Sequence, residues 1–542
     1  MHVTLVNPPQ VFSRFQVASG ITPPLGVAYL AGYLREHGVA VAVVDALGEA
    51  PAKVTPFRKH AFLRGLDLDE TAAAIPKETR LIGISNLFTS AWPAVAELAA
   101  AIKQRLPDVP IIVGGPHPAA LPEECLAEDA VDFVGLGEGE KPLLDLCGAL
   151  QQGRDLSDLE GLAFLGPDGK AIVRPQTSRT LIQDLGEIPF PARDLLPMEN
   201  YVQTREAHGP VNSRWTSILS SRGCPYGCTF CESRLTRWRA RRAEEVVDEI
   251  EHCVKTWGIE DFHFEDDNMT IRTDRILAMA AELRRRGLRI RWQTPNGIRA
   301  SVTDYETLRA MRDSGCHHIT LAPESGSQRV LENVIQKGRD FELDQVLQVA
   351  EDAHQLGMKV AAYFIIGLPG ELPEEVEQTI AYARDLARVG VDEVGFSLFI
   401  PLPGTPLWDL ASHKIEDYLD LLTIDDLNCS VSFNESMNDQ ELHRLRRKAY
   451  SLFFLTRLRH HPRAFLRTAS NVLRDHQETK TDRVLISLVE RTFGMGAPKR
   501  PVLAYPYDGV RTMRVLLDTQ AVYAFRHGFR RTIGLLRPRV DR

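Results

Sequence analysis

Along the first 150 residues, short apolar runs of β type alternate with stretches of helical period. VTLVNPP, VAVAVVDA, LIGISNL, PIIVGGPH and DFVGLGEGE read as strands, and PLGVAYLAGYLREHG and WPAVAELAAAIKQRL between them as amphipathic helices. Strand, helix, strand in this rhythm predicts a doubly wound, mostly parallel α/β sheet, Rossmann-like in outline. In such a sheet the ligand lies beyond the carboxyl ends of the strands, where Asn7, Ser85 and Gly114 fall.

Residues 151–210 break the rhythm. GLAFLGPDGKAIVRP predicts a hairpin turned at Asp168 and Gly169, and the proline-rich IPFPARDLLP an extended strap, so this stretch reads as a linker that packs on the domains it joins. From Trp215 a second βα series begins, from TSILSSRGC through DFHFEDDN, RIRWQTPNGIRA, HITLAPESGS and KVAAYFIIGLPGE to DEVGFSLFIPLPGTP. Six βα units predict a partial (β/α)6 TIM-like barrel over 211–430, with any active site at the loops after the strands. In the remainder, 431–542, ELHRLRRKAYSLFFLTRLRHHPRAFLRTASNVL sets arginines and large apolar residues at helical spacing, which predicts a helical C-terminal domain.

Length and composition narrow the class. A chain of 542 residues exceeds what one core organises, and 44% apolar with 25% charged residues is ordinary globular usage. No apolar run reaches the ~18 residues that cross a bilayer, and MHVTLVNPP lacks a basic n-region, so a cytoplasmic protein is expected. The net charge of −8 is unevenly spread, because residues 441–542 carry 22 Lys and Arg against 8 Asp and Glu. The leading reading is a basic domain docked on an acidic one; an anionic partner or a membrane surface contacted by the tail is the alternative. No nucleic-acid-binding motif is present, so no nucleic-acid partner is expected.

Eight cysteines in such a chain make no disulfide framework. Cys125, Cys147, Cys253, Cys316 and Cys429 are scattered and read as small buried hydrophobes. The other three share one loop, Gly223-Cys224-Pro225-Tyr226-Gly227-Cys228-Thr229-Phe230-Cys231, just after the first barrel strand. Three thiolates on one tight loop can each bind one iron of a cubane and leave the fourth iron open. A zinc site needs four tetrahedral ligands, and the nearest downstream histidine is His252.

This CxxxCxxC loop, with the aromatic Phe230 before its third cysteine, resembles the radical S-adenosylmethionine (SAM) superfamily, and the strand-end segments downstream of it resemble the cobalamin-binding branch of that superfamily. The resemblance implies a [4Fe–4S] cluster on Cys224, Cys228 and Cys231 whose open iron chelates the amino and carboxylate groups of SAM. Reduction, by a donor such as flavodoxin or ferredoxin, would release methionine and a 5′-deoxyadenosyl radical that abstracts a substrate hydrogen. By the same resemblance Asp266 and Asp267, in Phe264-Glu265-Asp266-Asp267-Asn268, meet the SAM amino group, the alternative for Asp267 and Asn268 being a helix cap. Arg299 is a candidate for the SAM carboxylate, since a guanidinium fork suits one. Glu324 and Ser325 would serve the ribose and methionyl groups, and Gly367, Gly370 and Glu371 the adenine.

The N-terminal domain carries a second signature. Ser85-Asn86-Leu87 precedes Gly114-Gly115 by 26 residues, which resembles the SxL and GG elements of cobalamin-binding domains. The DxHxxG loop that supplies a cobalt-binding histidine in many corrinoid proteins is missing after the first strand, and Asp45-Ala46-Leu47-Gly48 is misplaced and lacks a histidine. His117 is read as a hydrogen-bonding neighbour of the corrin rather than a cobalt ligand. The leading reading is C-methylation of an unactivated carbon of a small-molecule or lipid-like substrate, with cobalamin carrying the methyl group and a second SAM replacing it. Its rivals are a cobalamin-dependent radical cyclase or oxidase, and a non-catalytic corrinoid or iron–sulfur sensor.

Overall fold

The computed structural model describes residues 1–13, 20–59, 61–425 and 431–493, so Cys429 and residues 494–542 of the basic tail lie outside the described residues. Seven strands form the first sheet: β1 (His2–Asn7), β2 (Ala40–Asp45), β3 (Leu81–Ser85), β4 (Ile111–Gly114), β5 (Phe133–Gly135), β6 (Leu162–Leu165) and β7 (Ala171–Arg174), in the order 7-6-5-4-3-1-2. The first five are parallel. Val3 and Leu5 pack against helices Leu25–Glu36 and Glu140–Gln152, while Val6, Ile82 and Ile84 pack against Trp92–Arg105. A sheet buried on both faces needs such near-continuous apolar runs, each fully buried Val or Leu contributing about 1.5–3 kcal/mol. The order reverses at β1, which opens a crevice at the carboxyl ends of β1 and β3.

The hairpin turned at Asp168 and Gly169 adds β6 and β7 as an antiparallel edge of this sheet, so the first sheet runs past residue 150. The proline-rich strap touches both halves of the molecule. Ala192 N donates to Ala28 O (2.9 Å), and Arg193 donates to Ser217 O (2.7 Å) and pairs with Glu249 (2.7 Å).

Six parallel strands in sequential order make the partial barrel: β8 (Trp215–Ile218), β9 (Asp261–Phe264), β10 (Arg291–Ile298), β11 (Cys316–Glu324), β12 (Lys359–Ile366) and β13 (Glu393–Leu398). Phe262, Phe264, Trp292, Ile319, Leu321, Phe364 and Phe396 join the outer helices in one apolar cluster. By the period of two, their alternates Ser217, His263, Gln293, His318, Thr320 and Glu393 face the lumen, which is therefore polar and buried.

The described part of the tail forms helices Asp439–His460, Pro462–Arg474 and Lys480–Phe493. Asn438 and Glu441 cap the first reciprocally, and Pro462 opens the second, breaking what the sequence presents as one amphipathic run. Lys448 pairs with Glu377 (2.6 Å) and Arg457 with Asp392 (2.8 Å), so part of the tail's positive charge rests on acids of the barrel. Residues 205–213 thread between all three parts. Arg64 of the first domain pairs with Glu206 (2.6 Å), Gln293 of the barrel donates to Pro210 O (2.9 Å), and Gln477 of the tail bonds Asn212 (2.7 Å).

Candidate functional site

The ladder Ser221-Arg222 against Arg239-Ala240 closes the loop that carries the three cysteines. Gly223 has φ +85°, and a Cβ there would stand 2.5 Å from Arg237 O, so only glycine lets the loop start this way. Cys224 N donates to Thr236 Oγ1 (2.8 Å), Leu235 N to Tyr226 O (2.8 Å) and Cys231 N to Cys228 O (3.2 Å). Thr229 Oγ1 donates to Val334 O (2.6 Å), which ties the loop to the short helix Val330–Ile335 after β11. The three thiols are unpaired and partly exposed, and Phe230 packs half-buried on the barrel core. Burial pushes all three thiols upward, Cys231 to about 12, so a bound metal has to draw out the thiolates. Among the described residues no three His, Cys, Asp or Glu side chains converge on a single-ion position.

The loops after β9 to β11 meet this loop through a chain of contacts. Asp267 accepts from Gly223 N (3.2 Å) and Ser233 Oγ (2.9 Å), and Asp266 from Ser220 N (3.0 Å), Ser220 Oγ (2.6 Å) and Ser221 Oγ. Every carboxylate oxygen of the two side chains accepts a hydrogen bond, which braces the cysteine loop. Asn268 precedes the turn Met269–Ile271 without capping it. The neighbouring Glu265 has one oxygen 3.1 Å from His208 Nδ1 and the other buried without a partner.

Arg299, expected at the SAM carboxylate, bonds Lys337 O (2.9 Å), Asp340 (3.0 Å) and Ser301 Oγ (2.9 Å), and stacks on Tyr226. Glu324 is a non-glycine residue at φ +66° and bonds Lys337 Nζ at 3.0 Å. Such backbone persists only where surroundings over-determine it.

Ser325 lies just past β11, and Gly367 and Glu371 just past the neighbouring β12. Ser325 Oγ accepts from Ser327 N (3.1 Å) and lies 3.2 Å from Thr379 Oγ1. Gly367 N donates to Glu371 Oε2 (2.6 Å); Glu371 Oε1 is buried without a partner, and burial pushes this carboxyl up to about 8. Gly370 N donates to Glu435 (2.9 Å).

In the first domain Ser85 and Gly114 are cross-strand neighbours at the carboxyl ends of β3 and β4. Leu87 and its neighbour Phe88 are 59% and 61% exposed. No atom lies within 4 Å of where a Gly114 Cβ would stand, while at Gly115 (φ +121°) a Cβ would meet Asn86 O at 2.3 Å. His117 is fully buried between Trp92 (5.2 Å) and Tyr418 (5.3 Å), and burial pushes it down to about 4. Both its ring nitrogens, both amide atoms of Asn86 and the hydroxyl of Thr89 are buried without partners. Orphaned polar atoms beside an open glycine and exposed apolar side chains fit cobalamin, whose apolar macrocycle is fringed with amides.

Sequence reasoning singled out neither Lys337, Tyr226, Asn86 nor Thr89. Tyr226 stands inside the cysteine loop and Asn86 inside the SxL element, whereas Lys337 lies 13 residues past Glu324 and is recruited only by the fold.

Comparison with known proteins gives two family models in series, the B12 binding domain over residues 15–146 and the radical SAM superfamily over 218–383. An uncharacterized methyltransferase of Pyrococcus horikoshii is 32% identical over 84% of this chain and 93% of its own length. The cytidylyl-2-hydroxyethylphosphonate methyltransferase of Streptomyces wedmorensis is 31% identical over 75% of this chain and 80% of its own. The anaerobic magnesium-protoporphyrin IX monomethyl ester cyclase of Rubrivivax gelatinosus is 29% identical over 77% and 71%. Among solved structures, the radical SAM methyltransferase TsrM of Kitasatospora setae, with cobalamin and a [4Fe–4S] cluster bound, superposes with a TM-score of 0.60 at 20% identity, covering 82% of this chain and 84% of that one.

Proposed function

The chain belongs to the cobalamin-dependent radical SAM enzymes, and from that membership we propose that it methylates an unactivated carbon of a small, polar molecule. The relation to a methyltransferase over 93% of that relative's length carries the reading, and the polar lumen of Ser217, His263, Gln293 and Thr320 favours a polar substrate over a lipid-like one. Its cofactors are a [4Fe–4S] cluster, SAM and cobalamin. When bound, the cluster supplies the electron that cleaves SAM to a 5′-deoxyadenosyl radical, and the corrinoid supplies the methyl group.

Cys224, Cys228 and Cys231 hold the cluster, with Phe230 at their side. Asp266, Asp267 and Arg299 keep the cysteine loop in shape, and Lys337, restrained by Glu324, sets a cation beside it for the SAM carboxylate. Ser325, Gly367 and Glu371 shape the wall along the adenosyl group. Ser85, Leu87, Gly114 and Gly115 seat the corrinoid, and Asn86, Thr89 and His117 bond its amide fringe, with His117 off the cobalt. Electrons come from a ferredoxin or flavodoxin in the cytoplasm, where unpaired cysteines stay reduced. Among the described residues no helix is long and apolar enough to cross a membrane. Helix Pro462–Arg474 exposes Leu466 and Leu473 beside its arginines, a face suited to an anionic lipid surface.

The cyclase relative favours ring closure or oxidation as the second reading. Methyl-deuterated SAM separates the two. Methyl transfer consumes one SAM as radical source and a second as methyl source, so labelled product should accompany equal 5′-deoxyadenosine and S-adenosylhomocysteine. Conversion of the true substrate with neither label nor S-adenosylhomocysteine would replace methyl transfer with the second reading.

A further inference from the structure

Glu138 stands on the loop after β5 and Glu140 opens the helix Glu140–Gln152, at the sheet end where Ser85 and Gly114 lie. Their carboxylates reach out of the first domain. Arg222 Nη1 lies 3.0 Å from Glu138 Oε2 and Nη2 2.7 Å from Glu140 Oε1, while Arg239 grips both oxygens of Glu138. Arg222 and Arg239 face each other in the two-residue ladder from which the cysteine loop springs. Two acids of the corrinoid domain therefore hold both feet of the cluster loop.

The grip is rigid on each side. Gln176 fixes the backbone of Glu138, its Oε1 accepting from Glu138 N (3.0 Å) and its Nε2 donating to Glu138 O (2.9 Å). The ring of Tyr29 backs Arg222 at 5.2 Å. The side chains of Glu140 and Arg239 are 4% and 6% exposed. Their partners Arg222 and Glu138 are 17% and 26% exposed, so separating either pair would leave its buried member uncompensated, and a shift of one loop is passed to the other.

We propose that Glu138 and Glu140 are positioning residues that couple corrinoid binding in the N-terminal domain to the cysteine loop, so that each cofactor strengthens the hold on the other. The proposal rests on the cofactor assignment above. Coupling between two sites is reciprocal, so it is measurable from the corrinoid side alone.

The experiment titrates hydroxocobalamin into the anaerobic full-length protein, once with its cluster and once after iron removal, and takes the ratio of the two dissociation constants. The wild-type ratio should be about fivefold or more, the lower end of ordinary allosteric coupling. Glu138→Gln should bring the ratio well down towards one, the Glu140–Arg222 pair keeping the remainder, while the iron-free protein keeps its affinity. A merely structural role would weaken both states alike and leave the ratio intact. If Glu138→Gln fails to fold, Arg239→Lys, which keeps the charge and loses the fork, should show the same fall. A wild-type ratio of one, or a ratio that survives the substitution, overturns the coupling and leaves the cofactor assignment standing. Wild-type protein that retains no cobalamin in either state overturns that assignment, and the coupling with it.

Discussion

The guanidinium of Arg299 lies 3.5 Å from the ring centroid of Tyr226, so a residue at the end of the third barrel strand stacks on the middle of the cysteine loop. A cation–π contact of a buried guanidinium with a part-buried ring contributes about 1–2 kcal/mol towards holding the loop in this conformation. Arg299→Ala should therefore speed iron loss to a chelator with SAM absent. Unchanged chelator resistance in that variant would mean that Arg299 serves SAM alone.

The cluster itself gives the second test. Reconstituted anaerobically, the protein should hold about four irons per chain. Replacing Cys224, Cys228 and Cys231 together with Ala should abolish both the cluster and reductive cleavage of SAM. Cleavage at the wild-type rate in the triple variant would remove these residues from the site.

The third concerns cobalt. With His117 off the metal, the EPR spectrum of bound, singly reduced cobalamin should lack the nitrogen superhyperfine splitting of a coordinated imidazole. Splitting that disappears in His117→Ala would make His117 a ligand.

Acid stability gives the fourth. Burial holds His117 at about 4, below its usual 6.5, so the folded state keeps it neutral while the unfolded state protonates it. Its contribution to stability is then complete above about pH 6.5 and is lost as pH falls from there towards 4. His263 and His443, also held at about 4 by burial, add to the same loss. Denaturant melts of the apoprotein at pH 7, 5.5 and 4.5 should show a steep decline that is shallower by one proton in His117→Phe. An identical slope in the variant would show that His117 takes up its proton while folded.

Both α/β layers were legible because period-two and period-3.6 patterns report which faces are buried, and the cysteine spacing is local in sequence. The hairpin at Asp168 was legible as a turn but not as the edge of the first sheet, since nothing in Leu162–Arg174 names its partner strand. The braces were hidden for a similar reason. Asp266, Asp267 and Arg299 are residue types that suit SAM, and their bonds to Ser220, Ser233 and Asp340 are contacts that exist only after the loops converge. Lys337 became visible through its bond to Glu324, 13 residues away along the chain.

The threading of residues 205–213 through all three parts sets a timetable for biosynthesis. Asn212 has Gln477 among its partners, and Ala207 O accepts from Arg483, both some 270 residues downstream. At about 5–20 residues per second, roughly 14 to 54 s pass before those partners leave the ribosome. During that interval residues 205–213 lack their tail-derived partners and the segment cannot take its final place between the three parts.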